Sequence, residues 1–212
     1  MKTLIINAHP DYKNKEHFSY KLQDLFLKMY QERFPNEKPT ILNLYEAKIP
    51  RIEKHQLLTV WDKQLNNESL TADEKEVAET SQKLLDQFKA HHRIVVVSPL
   101  HNFNVTSRMK DYIDNILIAR ETFRYTDDGS VGLMTDNFRA LLLQASGSIY
   151  TNNDRYTPLE FSRLFLQKMF EEIMGFEDFN IVRAQGTALL DEKDVWKNVP
   201  EAMQKAFVRF YK

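Results

Sequence analysis

The sequence predicts an α/β protein with a doubly wound parallel sheet of five strands and helices on both faces. Five short apolar runs recur along the chain, and their continuous rather than alternating apolarity is typical of strands buried on both faces. Segments with helical spacing separate these runs. The chain has 212 residues, of which 42% are hydrophobic, so we expect one globular domain over residues 1–212.

The predicted strands are the apolar runs themselves. Regular alternation of strand and helix indicates right-handed crossovers between parallel strands. Five such strands suit the flavodoxin-like order 2-1-3-4-5. In chain order the runs are "TLIIN" (3–7), "TILNL" (40–44), "RIVVV" (93–97), "ALLLQ" (140–144) and "NIVRA" (180–184).

The intervening segments predict helices from apolar residues at a 3.6-residue period or from helix-forming composition. Pro158 suits the first turn of the fourth of these helices. Residues 45–71 and 120–137 are predicted to be irregular, and loops of that length are often functional or cover an interface. The predicted helical segments are 18–30, 72–89, 109–117, 158–169 and much of 194–211.

Composition excludes several function classes. The absence of cysteine removes disulfides, thiolate nucleophiles and iron–sulfur clusters. The five glycines are spaced so that neither standard glycine-rich phosphate loop can form, and any phosphate must be held differently. A net charge of −1 gives no electrostatic case for nucleic acid or an anionic membrane. We find no membrane-spanning stretch or signal peptide and expect a cytoplasmic protein.

Ligands of open α/β sheets bind beyond the carboxyl ends of the strands, where three polar segments of this chain meet. In "NAHPDYKNKEHFS", the start of the first helix offers unpaired amides for an anion, with Ser19 as a further donor and His9 and His17 as charges. The alternative is that Ser19 or Asn14 caps the helix while the histidines face water.

The other two segments could hold a flat, polar-edged ring. "SPLHNFN" offers backbone amides with His101, Asn102 and Phe103, although a surface loop with Phe103 packed inward is the alternative. "ASGSIY" offers hydroxyl donors and one glycine, or is simply a turn. Together the three segments suit a mononucleotide with a broad ring. Flavin mononucleotide (FMN) is the obvious candidate, and another nucleotide or a dinucleotide flavin remains open.

Three motifs resemble a known family. "PLHNFNVTSRMKDYID", "ETFRYTDDGSVGLM" and "ASGSIY" resemble the FMN-dependent NADH-azoreductases of the flavodoxin-like quinone reductase superfamily. The first loop is similar to the wider NAD(P)H:quinone reductase group. The resemblance covers nearly the whole chain in matching order, and "TFRYTDDGSVGL" is its most specific part.

The resemblance implies bound FMN, with NADH or NADPH as hydride donor and a quinone or azo compound as acceptor in a ping-pong reaction. Hydride chemistry would belong to the flavin, so we assign no catalytic side chain and no metal. It also implies site residues at matching positions: His9, His17, Phe18 and Ser19 around the phosphate; Pro99, Leu100, His101, Asn102 and Phe103 along the ring and ribityl chain; Ser146, Gly147, Ser148 and Tyr150 at the other ring edge; and Phe123 and Tyr125 approaching from one subunit or the other.

The chain departs from the family pattern at several places, including a first loop that is longer than usual between His9 and Phe18. His101 stands where a tyrosine is frequent, and Thr106 stands where a helix often begins with proline. "ASGS" (145–148) replaces the frequent Ser-Arg-Gly-Gly. These changes put substrate choice in doubt more than the cofactor. We also expect a homodimer that buries part of 45–70 and 120–137 near the flavin.

Two other functions are weighed against this one. A flavodoxin-like electron-transfer or redox-responsive FMN protein without NAD(P)H turnover is disfavoured by the near-neutral charge, since such carriers are usually strongly acidic. A hydrolase would need a nucleophile or a metal, and no serine–histidine–acid set or metal-binding histidine pair has interpretable spacing.

Overall fold

The computed structural model describes residues 2–212, so that only Met1 lies outside the description. A sheet of five parallel strands forms its centre, and two further strands form a separate antiparallel hairpin. The central strands are β1 (Thr3–Asn7), β2 (Thr40–Asn43), β3 (Arg93–Pro99), β6 (Arg139–Ser146) and β7 (Asp178–Gln185), and the hairpin strands are β4 (Phe123–Thr126) and β5 (Gly129–Gly132).

The sheet order is β2-β1-β3-β6-β7, with every neighbouring pair parallel. Counting only the central strands, this is the order 2-1-3-4-5, and the predicted fold class is confirmed. The helices are α1 (Phe18–Arg33), α2 (Leu57–Leu65), α3 (Ala72–Lys89), α4 (Ser107–Ile116), α5 (Phe161–Gln167, continued by a π-helical turn over Lys168–Ile173), α6 (Glu192–Trp196) and α7 (Val199–Phe210).

Alternate residues of the strands contribute side chains to two hydrophobic cores, one on each face of the sheet. Leu4 and Ile6 of β1 face one core, where they meet α3, α4 and α5. Ile5 faces the other core, where it meets α1, α6 and α7. Side chains of successive strand residues point to opposite faces, so continuous apolar runs are what two covered faces require. Within residues 2–212, none of the helices combines the length and apolar character needed to cross a membrane.

Three local predictions were wrong. Residues 45–71 contain α2, and residues 120–137 contain the β4–β5 hairpin. Pro158 lies in a short 3₁₀ turn, and α5 begins only at Phe161. The last helix, α7, occupies much of 194–211 as predicted, and a short additional helix, α6, precedes it.

Candidate active site

A cleft of about 360 Å³ opens at the carboxyl edge of the sheet. Its walls come from the loop after β1, the start of α1, and the ends of β3, β6 and β7. Three segments that are far apart in sequence therefore meet at one place, as the strand order requires. Eight predicted site residues line it, namely His9, His17, Phe18, Ser19, Pro99, Leu100, Ser146 and Gly147, together with Glu16, Ala145 and Thr187.

The start of α1 is the clearest feature of this cleft. Ser19 is buried, and its hydroxyl oxygen has no hydrogen-bond partner within residues 2–212. His17 is the N-cap residue and makes no side-chain capping bond, while Asn14 accepts from the N–H of Glu16 instead of capping the helix. The capping alternative is therefore not what the structure shows. The first-turn amides and the Ser19 hydroxyl are free to bind an anion.

His9 and His17 lie side by side at the same end of the cleft, with ring centroids 4.4 Å apart. Asp11 bonds both, because its carboxylate lies 2.9 Å from Nε2 of His17 and its N–H donates to Nδ1 of His9 over 3.0 Å. Burial, followed by the positive charge of His17, holds the pKa of His9 below its usual value. An anion in the cleft would oppose both effects and favour the charged imidazole.

The loop after β1 is tied to the rest of the site by two polar side chains. Asn7 accepts from the N–H of His9 over 2.9 Å. The buried hydroxyl of Thr106, the N-cap residue of α4, donates to the carbonyl of Ala8 over 3.1 Å. Thr106 thus joins the loop after β1 to the helix that follows the β3 loop, which gives this departure from the family pattern a structural role.

The loop after β3 is a tight turn at Asn102 and Phe103. His101 and Asn104 exchange two backbone hydrogen bonds, of 3.1 and 3.0 Å, across these two residues. Their φ angles are +46° and +67°, the combination found in a type I′ turn, which favours glycine at the second position. Holding a phenylalanine there costs about 1–3 kcal/mol. Phe103 is 39% exposed, so it does not pack inward as the alternative reading supposed.

The loop after β6 forms the opposite wall. The hydroxyl of Ser146 donates to the carbonyl of Ser148 over 2.9 Å, and Gly147 is exposed to the cleft. Tyr150 is buried, its N–H donates to the side chain of Gln185, and its ring meets Phe103 edge-on at 6.5 Å. Burial raises the pKa of Tyr150.

Phe123 and Tyr125 lie in β4, away from the cleft. Glu121, just before them, pairs over 2.6 Å with Lys89 at the end of α3, which is the amino edge of the sheet. Phe123 is buried, whereas Tyr125 is 74% exposed. Neither is among the described residues that line the cleft of their own chain. Within a single chain the structure therefore does not bring them to the other predicted site residues.

Sequence reasoning missed part of the surroundings. Thr187 lines the cleft, and the signal for it was available, since "QGT" follows the fifth strand at the same edge of the sheet. A larger cavity of about 470 Å³ also escaped notice; the loop after β2 and the starts of α3 and α4 form it, with Arg51 and Arg108 among its residues. No predicted site residue lines that larger cavity.

Comparison with known proteins agrees with this architecture. A family model described as having a flavodoxin-like fold matches residues 1–208. This chain belongs to that flavodoxin-like family. The resemblance drawn from the three sequence motifs is thereby confirmed at the level of the family.

Two named relatives and one solved structure are especially similar to this member of the flavodoxin-like family. It is 58% identical over 212 residues to the FMN-dependent NADH:quinone oxidoreductase 1 of Lactiplantibacillus plantarum, with 99% of each chain covered. It is 51% identical over 211 residues to the enzyme so named in Streptococcus agalactiae, covering 100% and 99%. The crystal structure of a FMN-dependent NADH-azoreductase from Bacillus anthracis in complex with FMN superposes with a TM-score of 0.94 at 48% identity, covering 100% and 99%.

Proposed function

We propose that this chain is an FMN-dependent oxidoreductase that passes hydride from NADH or NADPH to a quinone or azo acceptor. The observation that carries the proposal is the buried, unpartnered Ser19 hydroxyl at the uncapped start of α1. A buried polar group without a partner costs about 1–3 kcal/mol, which a phosphate oxygen would offset. The names of the relatives at 58% and 51% identity support the same cofactor and reaction.

The residues at the cleft fit FMN in order along its length. Phosphate would meet the first-turn amides of α1, the hydroxyl of Ser19, and the charges of His9 and His17. The ring and ribityl chain would lie along Pro99–Phe103. The other ring edge would face the loop from Ser146 to Tyr150, so that main-chain groups supply most of the contacts and no glycine repeat is needed.

Bound FMN would supply hydride-transfer chemistry that the side chains of this chain do not supply. The chain orients the ring between the loops after β3 and β6, where Tyr150 lies edge-on to Phe103. Phe103, half in solvent, borders a slot open to flat molecules. We propose that donor and acceptor use this slot in turn, which predicts ping-pong kinetics, and that the single-domain enzyme works in the cytoplasm.

We further propose that the enzyme is a homodimer in which the β4–β5 hairpin of each subunit lines the cleft of the other subunit. Tyr125 is 74% exposed on a hairpin anchored at the amino edge of its own sheet, so it can line a cleft only in a second copy. Apolar side chains on other segments are also exposed, including Ile52 and Leu65 in the region predicted to be buried between subunits. An interface over these segments would cover them.

The proposal is tested by loading the purified protein with FMN, desalting it, and following NADH oxidation with menadione. We expect a retained absorbance maximum near roughly 450 nm, typical of protein-bound flavin. Ser19→Asp would set a carboxylate beside the phosphate and should abolish retention, while Ser19→Ala should weaken it only about tenfold, the loss of one charge-assisted hydrogen bond. Unchanged circular dichroism would show that both variants are folded. Colourless wild-type protein, or full retention by Ser19→Asp, would contradict the assignment.

A further inference from the structure

A buried polar network lies behind the ring-side wall of the cleft and plays no part in the reaction described above. The side chain of Gln144 donates to Glu160 over 2.7 Å and accepts from the hydroxyl of Ser162 over 2.5 Å. Arg183 donates one hydrogen bond of 2.7 Å to each carboxylate oxygen of Glu160. We call these four residues the Gln144 network.

The burial of its side chains indicates that the Gln144 network is a specific part of the structure. Gln144 and Ser162 are each 1% exposed and Glu160 is 7% exposed. Gln144 interrupts the apolar run of β6, where an aliphatic side chain would satisfy the core equally well. Buried polar groups are costly unless each finds a partner, and a fully connected set fixes one arrangement of the elements that carry it. The network joins β6 and β7 to the first turn of α5.

The first turn of α5 in turn holds the tight turn after β3. The N–H of Ser162, which has no acceptor within its own helix, donates to the carbonyl of Phe103 over 3.3 Å. Phe103 has a φ of +67° that a non-glycine residue adopts only when neighbouring structure enforces it. The network therefore reaches the strained residue through one helix start.

We propose that the Gln144 network is a positioning device for the ring slot, fixing Phe103 through the backbone of Ser162. This inference rests on the proposed function for its effect on turnover. The network sets the location of α5, the helix start holds the carbonyl of Phe103, and the phenyl ring is thereby fixed against Tyr150 at the edge of the slot. Ser162 and Gln144 are positioning residues and touch no reactant.

Ser162→Ala is the main test, with Arg183→Lys as a second variant that keeps the charge but loses the paired bonds. In the FMN-free protein, we expect amide exchange at His101 and Asn104 to accelerate about tenfold, because the helix start that holds their turn loses side-chain bonds that anchor it. In the FMN-loaded protein, the visible circular dichroism of the flavin should change and kcat should fall about tenfold, since even a displacement of about 1 Å is costly for oriented reactants.

Lys168→Ala is the matched control, because Lys168 lies in the π-helical continuation of α5 and bonds Glu172 but does not reach the Gln144 network. It should leave exchange at the turn and the flavin signal unchanged. Phe103→Gly removes the strain, so in that background Ser162→Ala should no longer accelerate exchange at the turn. Equal acceleration in both backgrounds, or wild-type exchange in Ser162→Ala and Arg183→Lys, would overturn the inference. Failure of the wild type to bind FMN would refute the proposed function instead, while the exchange measurements would still decide the role of the network.

Discussion

Two individual residues of the proposed FMN site occupy energetically costly states. Ser19 buries a hydroxyl without a partner, and Phe103 holds a conformation suited to glycine. Such departures from local rules concentrate at functional sites, where a ligand or a neighbouring element compensates for them. The two residues lie at the phosphate end and the ring end of the proposed FMN site. The energetic cost of each residue would therefore indicate one end of the bound ligand.

The lowered pKa of His9 predicts a pH dependence of the FMN-free protein. The unfolded chain takes up a proton near pH 6.5, whereas folded His9 resists protonation, so the free energy of unfolding should decrease as pH falls below about 6.5. Above that value the contribution is fully present. His9→Gln should remove this part of the slope. Urea denaturation of both proteins at about pH 8 and about pH 5.5 measures the difference.

FMN supplies an internal control for the His9 prediction. A bound phosphate favours the charged imidazole, so the acid-side difference between wild type and His9→Gln should shrink or reverse when FMN is present. His17 and Asp11, the charged groups that face His9, remain in both proteins. Identical pH slopes for the two FMN-free proteins would show that His9 is not held neutral in the fold.

Part of the lining of the cleft was predictable, but His101, Asn102, Phe103, Ser148 and Tyr150 do not line it, and the conformations of the loops were not predictable. His9 follows β1, Ser19 lies in the first turn of α1, and Pro99 and Ser146 end β3 and β6. Parallel strands bring their carboxyl ends to one edge of the sheet. The left-handed turn at Phe103 accepts a hydrogen bond from the start of α5, about sixty residues later. No periodic pattern encodes a contact of that kind.

At the scale of elements, the central strands were predictable to within about two residues because continuous apolar runs have few alternatives in a covered sheet. Helix α2 was missed because its nine residues bury only Leu57 and Val60, too few to establish a period. The hairpin was missed because β4 and β5 are largely exposed and polar. Asp128-Gly129 at its tip was a usable turn signal.

The docking of the hairpin depends on Gly132. A Cβ atom there would lie 2.3 Å from the backbone nitrogen of Gly175 and from the backbone carbon of Met174, atoms that cannot rotate away. Gly132→Ala should therefore reduce the free energy of unfolding by about 1–3 kcal/mol, as overpacking does. Urea denaturation gives the value. FMN retention should persist, because the cleft lies at the opposite edge of the sheet.

Ser130→Ala is the control for Gly132→Ala, since Ser130 lies on the same strand and is exposed. Its effect on unfolding should stay within about 0.5 kcal/mol. A Gly132→Ala protein as stable as Ser130→Ala would mean that the close backbone approach between the hairpin and the π-helical turn is not maintained in solution.

Under the proposed function, the molecule as a whole has two functional ends. Its carboxyl edge gathers the cleft, while its amino edge carries the hairpin with Tyr125, in the sequence segment that most specifically marks the family resemblance. A site that needs both ends is incomplete in one chain. In the proposed homodimer, a two-fold axis would place the hairpin of each chain against the cleft of the other. The same symmetry would limit the assembly to two chains.

Subunit mixing tests this arrangement. Tyr125→Ala should lower quinone reduction while retaining FMN, and Ser19→Asp should be inactive because its cleft is empty of cofactor. When the two variant chains are co-expressed, about half of the random dimers contain one chain of each kind. In each mixed dimer, one of the two clefts is intact and faces an intact Tyr125, so the total activity should reach about a quarter of wild type. Sedimentation would verify the dimers. If the mixture shows only the sum of the two parents, Tyr125 does not act across a dimer axis, and its exposure needs another explanation.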